Sequence, residues 1–141
     1  MPVVRNAQFN FREGFCWNNV LNPNARLLKV KLKSATVNDV GSMSLISCYD
    51  YLPNSFFVSL LNSNLAFDYY REFINCTVNI QINDLRQIPI VIPTEEQLEA
   101  IEKLFEKIYA EKRKAFLSDK PSAYSEQEEM LDKLVASLYL I

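Results

Sequence analysis

Apolar and polar residues alternate in short stretches through the first part of the chain, which is the pattern of β-strands with one buried face. The clearest alternation covers residues 28–33, where apolar side chains are separated by lysines. Because successive side chains of a strand point to opposite faces, this stretch predicts a strand that exposes a row of ammonium groups. Strand signals extend over residues 9–52, and residues 43–51 predict a further strand.

The spacing of apolar residues changes to three and four between residues 56 and 73, which predicts a helix capped by Asn54 or Ser55. The period returns to two at Val78, Ile80 and Ile82, as in a strand. Residues 88–93 then form a short stretch bracketed by prolines. Because proline cannot donate to a β-ladder, this stretch is expected to be extended and to lie at an edge.

Two capping boxes mark helices in the last third of the chain. Thr94 with Gln97 precedes a predicted helix over residues 95–116, and Ser125 with Glu128 precedes a second amphipathic helix. Since the linker between them is short, the two helices are expected to pack as an antiparallel hairpin. The sequence therefore predicts an α+β fold: a small mixed or antiparallel sheet with one packed helix, followed by a C-terminal antiparallel helical hairpin. We place the boundary between these two parts at residues 93 and 94.

The composition removes most catalytic chemistry. The chain has no histidine, so it lacks Ser-His and Cys-His pairs and the commonest zinc ligand. Its two glycines, Gly14 and Gly41, cannot form a glycine-rich cradle for a nucleotide or for S-adenosylmethionine. Three widely separated cysteines indicate buried, reduced thiols rather than a disulfide framework. We therefore expect no catalytic residue, no metal site and no cofactor in this chain.

Hydropathy and charge limit the possible partners. No apolar run approaches the roughly 20 residues that cross a bilayer, so we expect a soluble, cytoplasmic protein without membrane contact. Residues 1–89 hold eight basic and six acidic side chains, a net charge of +2, whereas residues 90–141 hold seven and eleven, a net charge of −4. A mildly basic first part is compatible with nucleic acid, but it does not predict tight, independent binding to phosphates.

The lysine row is the best candidate for a nucleic-acid face. Lysine neutralises phosphates, and the asparagine amide can bond two adjacent groups on adenine. The same row has a second interpretation, because lysines at alternate positions also protect an exposed edge strand from aggregation. Trp17, Tyr49 and Tyr51 could stack on bases, although core packing is the commoner role of such residues. The candidate DNA-binding residues are Arg26, Lys29, Lys31 and Lys33, together with Asn18, Asn19, Asn22 and Asn24.

The predicted helix over residues 95–116 carries many glutamates and a narrow apolar stripe. The glutamates are spaced with lysines at intervals of four residues in places, which is typical of a solvated face. Carboxylates paired for metal or glycosidic chemistry are a distant alternative. The stripe could complete the core or dock a partner. Its residues are Leu98, Ile101, Phe105 and Ile108.

Four short motifs, in order, carry a resemblance to a known family. A segment with Leu-Leu-Asn-Ser at residues 60–63 precedes Thr-Val-Asn-Ile at residues 77–80, and a phrase over residues 84–93 ends in Ile-Pro-Ile-Val-Ile-Pro before Glu96 and Gln97. The chain closes with Leu-Asp-Lys-Leu-Val at residues 131–135 and Leu-Tyr-Leu at residues 138–140. This order resembles the C-terminal specificity region of type IIG and TaqI-like adenine-specific DNA methyltransferases. It is also similar to the specificity subunits of type I restriction systems.

The resemblance implies a DNA target-recognition domain in residues 1–93 and a helical spacer or docking hairpin in residues 94–141. Such a module selects double-stranded DNA for adenine methylation or cleavage, while a catalytic domain or subunit supplies the chemistry. The family's NPPY-type catalytic motif and its S-adenosylmethionine loop are absent from this sequence. Without its neighbour, the chain is expected to expose the apolar stripe and to self-associate through its C-terminal helices. The alternative is a protein-interaction or assembly module that does not bind DNA.

Overall fold

A computed structural model describes residues 7–37, 41–121 and 125–140 of the chain. Three short strands form an antiparallel sheet in the order β2-β1-β3, with β1 at Gly14–Asn18, β2 at Lys31–Lys33 and β3 at Ser42–Leu45. The central strand pairs Phe15 with Leu32 on one side and with Leu45 on the other.

The first residue of β1 has to be glycine. A β-carbon built on Gly14 would collide with the backbone carbonyl of Leu45 on the neighbouring strand. Since a backbone oxygen cannot rotate away as a side chain can, any larger residue would force β1 and β3 apart. The glycine thus permits the close pairing at the start of the sheet.

Helices make up most of the remainder. They are a short 3-10 helix at Ala7–Phe9, α1 at Asn54–Leu61, α2 at Asn64–Tyr69, a π-helical segment at Tyr70–Ile74, α3 at Ile82–Leu85, α4 at Glu95–Leu117 and α5 at Glu126–Ser137. The α+β class, the antiparallel sheet and the C-terminal helix pair confirm the predicted fold class.

The single helix predicted over residues 56–73 is interrupted at Ser63. The Ser63 hydroxyl accepts a hydrogen bond from the Ala66 backbone N–H and so begins a new helix, α2. Serine competes with the helical backbone in this way, which favours a cap over a helix interior. The apolar spacing continues unchanged across the break, so periodicity alone does not reveal it.

Three predicted strand segments are shorter than expected or have another structure. Residues around Phe9 form the 3-10 helix, and β3 ends at Leu45 because Ser47 bonds the Asn54 side chain and the Leu52 carbonyl. The predicted strand at residues 78–82 is reduced to one bridge between Asn79 and Val20. Ile82 instead begins α3, since Gln81 and Asp84 form a capping box there.

The hairpin of α4 and α5 follows the prediction closely. Both capping boxes are formed, with the Thr94 hydroxyl accepting from Gln97 N–H and the Ser125 hydroxyl accepting from Glu128 N–H. Near the turn, Lys112 of α4 lies 3.0 Å from Glu128 of α5. The two helices are antiparallel, since the end of α5 returns to the segment that precedes α4.

One hydrophobic core joins the sheet to the helices through β1, α1, α4 and α5. Trp17 of β1, Phe56 of α1, Ile101 of α4 and Val135 of α5 are fully buried in the same cluster. The boundary predicted between residues 93 and 94 therefore separates two parts of the chain that share a core. Within the described residues, every helix is too short or too polar to span a lipid bilayer.

Candidate nucleic-acid interface

The turn after β1 presents polar side chains at the rim of a groove. The Asn22 side-chain oxygen accepts a hydrogen bond from Asn24 N–H at 2.9 Å, and the Asn22 carbonyl accepts from Ala25 N–H at 2.8 Å. These bonds form the turn that the Asn-Pro-Asn sequence predicts. The Asn22 amide nitrogen, the Asn24 side chain and Arg26 make no hydrogen bond within the described residues, so they are available to a ligand.

The groove beside this turn has a volume of about 330 Å³ and is open to solvent. Residues 21–26 form one wall, and Phe67, Arg71 and Val78 form the other. Among the described residues that line it, none is acidic, and two are arginines. Two guanidinium groups beside two asparagines are suited to phosphate oxygens and to the edges of bases.

Arg71 is held in place by the loop that follows the π-helical segment. One of its terminal nitrogens donates to the Thr77 carbonyl at 2.8 Å. A guanidinium has five N–H donors, so four remain for a ligand. The loop is itself fixed by Asp84, whose carboxylate accepts hydrogen bonds from the Asn75 amide at 2.9 Å and from the Gln81 N–H at 3.0 Å.

Tyr70 contributes to the same network beneath the loop. Its ring is completely buried, and its hydroxyl lies 3.4 Å from the Asp84 carboxylate and 3.5 Å from the Asn79 carbonyl. Burial, followed by the negative charge and hydrogen bond of Asp84, raises the pKa of Tyr70 to about 12. The tyrosine is therefore a neutral hydrogen-bond donor that stabilises the wall of the groove.

The strand predicted over residues 28–33 differs from the observed structure at both ends. Lys29 has a φ of 56°, in the left-handed region. A residue with this conformation cannot be part of a regular strand. The next residue, Val30, pairs with a side chain instead of a strand: its N–H donates to the Asn62 oxygen at 2.8 Å and its carbonyl accepts from the Asn62 amide at 2.7 Å. Lys29 and Lys31, on either side of Val30, are exposed and form no ion pair within the described part of the chain.

Lys33 does not belong to an exposed ammonium row. Only 8% of the residue is exposed, and its ammonium donates to the carbonyls of Arg12 at 2.7 Å, Thr36 at 2.6 Å and Ser34 at 3.4 Å. The alternation fails because Leu32 of β2 is exposed and Lys33 takes the inward position. Lys33 therefore stabilises the loop after β2, and the expectation that it faces solvent is wrong.

The predicted asparagines and cations are divided among several places. Asn22, Asn24 and Arg26 lie at the groove, whereas Lys31 and Lys33 line a second depression of about 340 Å³ with Cys16 and Thr36. The other two asparagines lie at the end of β1: Asn18 is exposed opposite Ser42, and the backbone of Asn19 bonds Gly41 and Ile80. The structure thus brings together only part of the predicted face.

The aromatic candidates also separate. Trp17 is fully buried, and its indole N–H donates to the Ile80 carbonyl at 3.2 Å, so it belongs to the core. Tyr49 and Tyr51 are exposed on the turn before α1, with ring centroids 5.5 Å apart. They are not among the residues that line the groove.

Sequence reasoning did not identify Arg71 as a site residue. One signal was available: Arg71 is the only basic residue between Lys33 and Arg86. The local sequence, however, reads as an amphipathic helix, and the contact with the Asn22–Arg26 turn joins positions about 45 residues apart. Such a contact depends on tertiary packing and leaves no periodic pattern.

The apolar stripe of α4 is buried within the chain. Ile101 is 0% exposed and Ile108 is 8% exposed, while Leu98 and Phe105 are partly buried against the same core. Helices α1 and α5 both pack on α4 and cover it. The expectation that the stripe is exposed is therefore wrong, because the chain supplies its own covering helices.

One glutamate of α4 departs from the predicted solvated face. The Glu102 carboxylate accepts a hydrogen bond from the Ser55 hydroxyl at 2.6 Å, and its other oxygen is buried without a partner among the described residues. Burial raises the pKa of Glu102, while the bond from Ser55 lowers it and the neighbouring Glu106 raises it. Its position joins α1 to α4, which is a structural role.

The described ranges contain no group of carboxylates and thiols arranged to hold a metal ion. Cys16 is buried, as expected for a reduced structural thiol, but Cys48 and Cys76 are exposed, contrary to that expectation. Both lie in irregular segments that connect helices and strands, and such segments run over the protein surface.

Compared with models of protein families, with curated proteins and with solved structures, the chain matches none. The resemblance to methyltransferase specificity regions thus depends on the four sequence motifs alone.

Proposed function

We propose that the chain is a non-catalytic DNA target-recognition module of a cytoplasmic restriction-modification DNA methyltransferase, whose catalytic domain or subunit is separate from this chain. The observation that carries the proposal is the open groove whose described lining combines Asn22, Asn24, Arg26 and Arg71 and includes no carboxylate. The order of the sequence motifs supplies the class of enzyme, and the groove supplies a surface suited to DNA.

The side chains of the groove match the chemistry of base recognition. Arginine bonds the O6 and N7 atoms of guanine in pairs, and asparagine bonds N6 and N7 of adenine. Asn24 and Arg26 are exposed and free for such contacts, while Arg71 is aimed by the Thr77 carbonyl. Lys29 and Lys31, which precede and begin β2, supply charge for the phosphate backbone.

The charge distribution predicts weak binding by the isolated chain. The candidate DNA-contacting cations lie in residues 1–89, where the net charge is only +2, and the glutamates are concentrated in α4 and α5. Affinity for duplex DNA depends on how many phosphates a protein neutralises. A catalytic partner that adds basic surface would raise the affinity, and the groove would contribute mainly to the choice of sequence.

The proposal is tested by fluorescence anisotropy with mixed-sequence duplexes at about 50 mM salt, where phosphate contacts are strong. We expect Arg26→Glu to weaken binding by about 5- to 150-fold, since losing one arginine contact costs about 1–3 kcal/mol. The matched control is Lys103→Glu, which makes the same charge change at an exposed position of α4.

Equal losses in Arg26→Glu and Lys103→Glu would show that only net charge matters and would contradict recognition by the groove. Absence of duplex binding, both alone and after fusion to a methyltransferase catalytic domain, would refute the DNA-recognition function.

A second function, a protein-interaction or assembly module without DNA binding, is favoured by one feature. Phe116 and Leu117, at the end of α4, are 83% and 74% exposed. Adjacent large apolar side chains at the surface are typical of protein contacts. If this function is the correct one, a Phe116→Ser variant will lose partner binding, and the Arg26→Glu variant will behave as the wild type in every assay.

A further inference from the structure

An exposed valine lies among the hydrogen-bonding groups of the groove. Of the large hydrophobic residues in the described lining, Leu21 belongs to the core and Phe67 packs against it, whereas Val78 is 37% exposed. Binding sites commonly combine apolar side chains with a few polar groups that fix the orientation of the ligand. The groove is therefore suited to a ligand that carries an apolar group beside a polar one.

Backbone contacts fix Val78 next to the guanidinium of Arg71. The Val78 carbonyl accepts a hydrogen bond from the Leu21 N–H at 2.6 Å. The preceding residue, Thr77, holds Arg71 through its own carbonyl at 2.8 Å. Because a β-branched side chain is restricted at χ1, the methyl groups of the valine have little freedom to move. This wall of the groove thus presents a fixed apolar group beside a fixed hydrogen-bond donor.

Thymine is the base whose edge matches this pair of groups. In the major groove it presents a 5-methyl group next to the O4 acceptor. A methylated cytosine would present its methyl group next to an amino donor instead. The guanidinium beside Val78 is a donor with no acceptor, and the described lining includes no carboxylate. The chemistry of this wall therefore favours thymine over 5-methylcytosine.

We propose that Val78 contacts the 5-methyl group of thymine while Arg71 donates to O4, so that the groove prefers A·T pairs. This inference rests on the proposed function and adds a base preference to it. The asparagines of the opposite wall, Asn22 and Asn24, suit the adenine of the same pair, since an asparagine amide bonds N6 and N7 of adenine. Val78 is then a residue that determines specificity without carrying charge.

Replacing thymine by uracil tests the contact, because uracil lacks only the 5-methyl group. Duplexes of alternating A·T pairs offer a thymine in every register, so the target sequence need not be known. Binding is measured by fluorescence anisotropy at about 50 mM salt, where phosphate contacts are strong. We expect the thymine duplex to bind about fourfold more tightly than the uracil duplex, which is the effect of burying one methyl-sized group.

Two valine variants assign this preference to one side chain. Val78→Ala removes both methyl groups of the valine and should abolish the preference for thymine over uracil. The matched control is Val20→Ala, since Val20 is 58% exposed on the neighbouring segment and does not line the groove. It should keep the preference of the wild type. Comparing the variants separates the valine contact from any change that uracil makes to the flexibility of the duplex, and circular dichroism checks that each variant is folded.

Alternating G·C duplexes with and without 5-methylcytosine separate the two sources of a methyl group, and their affinities should agree within about twofold. A methyl effect as large as that of thymine would overturn the preference for thymine. Equal binding of thymine and uracil duplexes would overturn the inference and leave the DNA-recognition function in place, as would a preference that Val78→Ala retains. Absence of binding to every duplex would refute the DNA-recognition function and this inference with it.

Discussion

At the scale of single residues, Lys33 shows how a charged side chain changes role when its neighbours are known. The sequence places it in a row with Lys29 and Lys31, yet its ammonium is enclosed by three backbone carbonyls. Arg12 precedes β1, whereas Ser34 and Thr36 follow β2. The alternating pattern of residues 28–33 contains no information on these contacts. Reversing the charge of Lys33 would therefore damage the fold, and only Lys29 and Lys31 are sound positions for testing phosphate contacts.

Replacing Lys33 by methionine should lower the free energy of unfolding by about 1–3 kcal/mol, because three carbonyls lose a charged donor in a largely buried place. Lys31→Met, at the exposed position of the same strand, should change it by less than about 0.5 kcal/mol. Urea unfolding followed by circular dichroism measures both. Equal unfolding midpoints for the two variants would contradict the structural role of Lys33.

Tyr70 predicts a specific dependence of stability on alkaline pH. Its pKa is about 12 in the folded chain, against 10.0 for an unperturbed tyrosine. Since the folded-state pKa lies above the unfolded one, its contribution to stability is complete below pH 10 and is lost as the pH rises from about 10 to about 12.

Tyrosinate absorbance should therefore show an ionisation near pH 12 that the Tyr70→Phe variant lacks. Urea unfolding should also show that the wild type loses more stability than the variant between pH 10 and 12. An identical decline in both proteins would mean that Tyr70 ionises equally easily in the folded and unfolded chains.

At the scale of elements, prediction succeeded where the determinants are local. The beginning of α4 and of α5 follows from Ser or Thr caps paired with a residue three positions later. The beginning of β2 could not be predicted, because it depends on the left-handed Lys29 and on Asn62, which is 32 residues from Val30. Likewise, the turn at Asn22 was predictable, whereas its meeting with Arg71 was not.

The Asn62 side chain bonds the N–H and the carbonyl of Val30, as the backbone of a neighbouring strand would. This contact can be tested by substitution of Asn62. Asn62→Ala removes both bonds and should speed amide exchange of Val30, at a cost of about 1–3 kcal/mol in stability. Asn62→Asp keeps the acceptor for the Val30 N–H and should preserve the protection of that amide. If Val30 exchanges at the wild-type rate in Asn62→Ala, the side chain does not organise this stretch.

At the scale of the whole molecule, the shared core limits how the two predicted parts can act. Helices α4 and α5 pack on α1, and this packing buries the apolar stripe of α4. The surfaces left for a partner include the polar groove beside Arg26 and the exposed residues at the end of α4. These surfaces are separate, so the proposed DNA contact at the groove leaves the end of α4 exposed for another partner.

The central claim, that the groove contacts DNA, is tested most directly by nuclear magnetic resonance of the labelled chain titrated with duplex DNA at low salt. The largest shifts should appear at the side-chain amides of Asn22 and Asn24 and at the guanidinium signals of Arg26 and Arg71, with Lys29 and Lys31 next. The signals of α5 should remain unchanged. Shifts confined to α4 and α5, or spread evenly over all exposed lysines and arginines, would contradict recognition by the groove.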